Sequence, residues 1–65
     1  MRDWLRDLRK AHGMSEKKVA MAIGMSQPPY HRIEKGQSRP RVENAIKIGR
    51  LLQFDWRRFY EEGGE

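Results

Sequence analysis

The sequence predicts an all-α fold, a compact globule of five short helices, and three observations point to it. Apolar residues recur three and four positions apart along most of the chain, which is the period of one helix face. Glycines at 13, 24 and 36 punctuate that pattern, and Ser15 and Ser26 stand ready as N-caps just beyond the first two. With 65 residues, 37% apolar content and no cysteine, there is material for one core and none for a disulfide or thiolate staple. Stability must then come from helix packing or from dimerisation.

Each helix has its own signals. In the first, Leu5, Leu8 and Ala11 share a face, and Gly13 stops it. Ser15 caps the second, Glu16 suits its first turn, and Val19, Ala20 and Ile23 form its apolar stripe before Gly24. Ser26 is placed to cap the third, with Tyr30 and Ile33 as its apolar pair and Gly36 closing it. After the loop Ser38-Arg39-Pro40-Arg41, with Pro40 at a helix start, the fourth carries Val42, Ala45, Ile46, Ile48, Gly49 and Leu52 at helical spacing. A mid-helix glycine costs about 1 kcal/mol against alanine, so Gly49 implies close backbone packing. Asp55 caps a last short helix holding Trp56, Phe59 and Tyr60 on one face. Residues 1–60 thus make one domain, and the acidic stretch 61–65 is expected to be a disordered tail.

Charge narrows the function. Residues 1–58 carry 14 bases against 6 acids, a net +8, because three of the nine acids fall at 61, 62 and 65. Such a field concentrates polyanions, of which nucleic acid is the commonest and an anionic membrane surface the next. The N-terminus alternates charged and apolar residues, unlike a signal peptide, and no apolar run nears the roughly 18 residues of a membrane span. A cytoplasmic protein is expected. No enzyme is: there is no Cys, no Ser-His-carboxylate arrangement and no phosphate-cradling glycine loop. Two histidines without cysteine or a paired carboxylate make no metal site, so neither metal nor cofactor is expected.

The second and third helices, joined by a short glycine-containing turn, have the spacing of a helix-turn-helix unit. From Leu5 to Tyr60 the chain resembles the Cro/repressor (XRE-type, lambda-repressor-like) family. The residues that carry the likeness are Leu5-x-x-Leu8-Arg9, Gly13-Met14-Ser15, Val19-Ala20, Ile23-Gly24-Met25-Ser26, Tyr30-His31-Arg32-Ile33-Glu34-Lys35-Gly36 and Arg39-Pro40. The resemblance implies a recognition helix over about 27–35 in the major groove, an Arg9–Glu34 ion pair tying helices one and three, and base-facing sites at Gln27, Pro28, Pro29 and Arg32. Arg32 suits guanine and Gln27 suits adenine, although each is also able to contact phosphate, and His31 between Tyr30 and Arg32 is a further base-contact candidate.

Two features depart from the family pattern. Gln27 and Pro28 each precede a proline, which disfavours helical backbone and places the helix start at Pro29. Glu16 stands where the family often has a phosphate-binding glutamine, so its carboxylate would repel the backbone unless it turns away.

Phosphate contacts are expected from Ser15, Lys17 and Lys18 around the second helix, and from Lys35, Gln37, Arg39 and Arg41 after the third. The expected partner is double-stranded DNA, bound sequence-specifically by a transcriptional regulator, a repressor, with no small-molecule ligand. Trp56, Phe59 and Tyr60 are too much aromatic surface for a short last helix to bury, which suggests a homodimer interface. A symmetric dimer would set two recognition helices about 34–36 Å apart. The competing reading keeps the fold as a protein-interaction module for a repressor or toxin partner.

Overall fold

The computed structural model describes residues 1–61. They form α1 (Asp3–Ala11), α2 (Glu16–Ala22), α3 (Gln27–Glu34), α4 (Val42–Leu52) and α5 (Arg58–Glu61), with no strand among the described residues. Of the expected tail, Glu61 ends α5, and 62–65 lie outside the described residues.

The turn between α2 and α3 is closed by backbone bonds that need a left-handed residue. Gly24, at φ 78°, lets its own N–H reach Met21 O at 3.2 Å and lets Met25 N reach Ala20 O at 2.8 Å. Half-buried Met25 then packs on the core, which fixes the direction in which α3 leaves. The same pair of bonds closes α1 through Arg9 O and Lys10 O, and α3 through Arg32 O and Ile33 O.

The start of α3 corrects the expectation of a Pro29 start, for the helix begins at Gln27. Prolines cost little there, because the first N–H groups of a helix have no intrahelical partner. Fully buried Tyr30 and nearly buried Ile33 anchor the segment and outweigh the bias against helix before proline. Ser26 adopts cap geometry yet accepts no bond, since the two positions whose N–H it would take are Pro28 and Pro29. Ser15, by contrast, accepts Lys18 N at 3.1 Å.

The core comprises Leu5, Val19, Ala20, Ile23, Tyr30, Ile33, Ala45, Ile48, Leu52 and Phe59. Its composition revises three helix faces. In α1 the inward side is Trp4, Leu5 and Arg9, whereas Leu8 is half-buried and Ala11 exposed. The helix is turned to carry Arg9 inward to Glu34, which rotates Ala11 out. In α4, Ala45, Ile48, Gly49 and Leu52 face in, while Val42 is exposed and Ile46 half-buried. Pro40 lies buried two residues before α4, whose N-cap is Arg41. In the last segment Asp55 Oδ1 accepts Arg57 N at 3.0 Å, so it organises a turn and α5 begins only at Arg58. Trp56 therefore lies outside α5, and of the expected shared face only its contact with Tyr60 forms, because Phe59 turns into the core.

A cap not anticipated from sequence is Arg2, which is buried. Its backbone N–H donates to Glu34 O at 2.8 Å, and its guanidinium donates to the carbonyls of Ile33 and, at 2.8 Å, Ser38. A cation thus sits on the carbonyl end of α3, where the helix dipole is negative.

Gly49 has the close packing its position implied. A Cβ there would meet Phe54 O at 2.8 Å and Trp56 Cβ at 3.1 Å. Backbone cannot yield as a side-chain tip does, so Gly49→Ala is expected to destabilise by about 1–3 kcal/mol despite the better helix propensity of alanine. Urea unfolding checks it, and an unchanged midpoint would contradict this packing.

Candidate nucleic-acid interface

The inner side of α3 is spent on the core, with Tyr30, Ile33 and Glu34 buried. What remains outside is Gln27, Pro28, His31, Arg32 and Lys35, all exposed. At 3.6 residues per turn these five occupy one continuous arc along the helix. Pro29, offered as base-facing, is half-buried at its margin. The outer arc leads into the loop before α4, where Gln37, Ser38, Arg39 and Arg41 are exposed, while Ser15, Lys17 and Lys18 are exposed around the start of α2.

Over 15–41 there are six bases and two acids, and neither acid is free. Glu34 is almost fully enclosed and receives Arg9 Nε at 2.5 Å, Arg9 Nη2 at 3.2 Å and the Tyr30 hydroxyl at 2.8 Å. Burial, then the hydrogen bond to this carboxylate, pushes the Tyr30 phenol far above its ordinary value, so it stays a neutral donor. Arg9 also donates to Met14 O at 2.9 Å, so α1, the α1–α2 turn and α3 are joined at one guanidinium.

Glu16, the second acid, turns toward α3. His31 Nδ1 lies 2.9 and 3.1 Å from its two carboxylate oxygens. Burial raises the affinity of this carboxyl for a proton, but the bond and charge of His31, with a contribution from Gln27, outweigh it and leave Glu16 below the ordinary carboxylate range. The carboxylate is thereby engaged by α3 and is not left as a free anion beside the exposed arc. Sequence gave no sign of this pairing, because 15 residues separate the partners and only the angle between α2 and α3 brings them together.

The loop cations are held from behind. The Tyr60 hydroxyl donates to Pro40 O at 2.6 Å, and the Arg39 guanidinium lies 5.6 Å from the Tyr60 ring centroid. Tyr60 also meets Trp56 edge-on at 6.0 Å. Phe59, offered as a dimer contact, is fully buried between Trp4 and Phe54, at ring distances of 5.3 and 5.6 Å, and has no surface to share. Trp56 and Tyr60 are half-buried, and Trp56 with Ile46 and Phe54 lines an open groove beside α4.

Among the described residues no helix is long and apolar enough to cross a membrane, and no cluster of three or more His, Asp or Glu is arranged to hold a metal. The family model described as helix-turn-helix matches residues 5–59. Over 62 residues the chain is 39% identical to YqaF of Bacillus subtilis (strain 168), an uncharacterized HTH-type transcriptional regulator, covering 95% of this chain and 82% of that protein. No solved structure matches.

Proposed function

This chain belongs to the helix-turn-helix family, and from that membership we propose that it is a sequence-specific double-stranded-DNA-binding transcriptional regulator, acting as a repressor in the cytoplasm. The observation that carries the reading is the exposed arc of α3 continuing into a loop of arginines, with both acids of the region already paired. In this reading α3 enters the major groove. Arg32, Gln27 and His31 meet base edges, and the ring of Pro28 offers an apolar surface to a thymine methyl. Ser15, Lys17, Lys18, Lys35, Gln37, Arg39 and Arg41 meet phosphates and set register. Trp56 and Tyr60, beside the open groove, are the surface for a second copy, and the homodimer spans two half-sites.

Selection of a bound sequence from random duplexes, followed by salt titration, tests this. Affinity for the selected site is expected to fall steeply with salt, and Arg39→Ala is expected to reduce the slope of log K against log salt by about one. Arg32→Ala is expected to relax preference at one base position, at a cost of about 1–3 kcal/mol in discrimination. If selection enriches no sequence, the regulator reading fails and a protein-binding role takes its place. An enriched site without two-fold symmetry would remove the dimer.

A further inference from the structure

The contact between Glu16 and His31 determines more than charge. An ionised carboxylate has only acceptors, so the hydrogen in that bond belongs to His31 Nδ1. A neutral imidazole carries one ring hydrogen, so while the ring is neutral Nε2 has none and is an acceptor. When the ring gains a second proton, Nε2 becomes a donor. The two ring nitrogens diverge, so an Nδ1 committed to α2 turns Nε2 away from that helix. The His31 side chain is 46% exposed, and that of Glu16 only 20%. His31 lines, with Glu16, Gln27 and Pro28, a shallow depression on the arc assigned to base reading.

We propose that Glu16 is a positioning residue that commits His31 Nε2 to one hydrogen-bonding sense, making the base facing His31 a pH-selected position. This rests on the DNA-binding reading given above. With the ring neutral, Nε2 accepts from an exocyclic amine, adenine N6 or cytosine N4. With the ring charged, it donates to guanine O6 or N7. The charged groups around the pair do not undo this. Glu16 faces His31 directly, and Arg9 of α1 reinforces the anionic form of Glu16. Within α3, Tyr30 is a neutral donor committed to Glu34, and the neighbouring cations are the exposed Arg32 and Lys35.

Two measurements test the proposal. In the free protein at about pH 8, nitrogen-15 NMR is expected to find the His31 hydrogen on Nδ1, with the carboxylate variant Glu16→Gln showing a mixture of both forms, since an amide is able to accept or donate. Duplex selection at about pH 8 and about pH 5.5 is expected to exchange an amine-bearing base for guanine at one position, by about tenfold each way. Glu16→Gln is expected to lose that preference at the higher pH and keep it at the lower. A hydrogen on Nε2 at the higher pH, the same base at both, or a variant indistinguishable from the parent would each overturn the proposal. No salt-dependent binding to any duplex would remove the DNA-binding reading as well, whereas binding with pH-independent base choice removes the proposal alone.

Discussion

Glu34→Ala is expected to lower unfolding free energy by about 3–5 kcal/mol, the range for breaking a buried ion pair by removing one partner. The loss is large because three donors converge on this carboxylate, two from Arg9 and the Tyr30 hydroxyl. Removing it leaves a guanidinium, 11% exposed, with only Met14 O among those bonds. It also leaves the buried Tyr30 hydroxyl without its acceptor. A guanidinium holds its proton under all ordinary conditions, so once Glu34 is gone the arginine cannot escape by deprotonating. In a small domain, whose total stability is typically about 5–15 kcal/mol, such a loss is close to unfolding. Thermal or urea denaturation followed by circular dichroism checks it. Replacing both ends, Arg9→Met with Glu34→Leu, is expected to recover part of the loss, because the uncompensated charge goes while the tyrosine stays unsatisfied. A loss below about 1 kcal/mol for Glu34→Ala would mean that the pair behaves like a solvated surface bridge.

Phe59→Ala is expected to cost about 3–5 kcal/mol as well, through the cavity it leaves. The ring is fully enclosed, with Trp4 and Phe54 against it and the Arg2 guanidinium 5.5 Å from its centroid. It clamps both ends of the described chain, since Arg2 and Trp4 come from the N-terminal segment and Phe54 follows α4. Trp56→Ala is expected to cost less, because that side chain is half-buried and its Cβ, which alanine keeps, is the side-chain atom beside Gly49. Equal or reversed losses for the two substitutions would show that the aromatic cluster is organised around Trp56 instead.

Much of the site was legible because its signals are local. Spacing located α2, α3 and the glycine turn, and the cations around α3 follow from simple succession along the chain. The misreadings share a cause. Dihedral preference alone displaces Gln27 from α3, yet burial of Tyr30 and Ile33 in the turns that follow holds that segment helical. Apolarity alone turns Leu8 and Ala11 inward. The helix instead turns a charged residue, Arg9, to the interior because its partner lies on α3. Phe59 and Trp56 look alike as aromatic residues three apart, but a turn at Asp55 separates their environments.

By itself the sequence determined the number and order of the helices, the positions of the glycine stops and the excess of positive charge, all properties of residues near one another in the chain. Tertiary structure alone decided which carboxylates find partners, that Arg2 closes the carbonyl end of α3, and that His31 is held by Glu16. Each of these joins residues at least 15 positions apart, and a periodicity of three or four residues carries no information about the angle at which two helices meet.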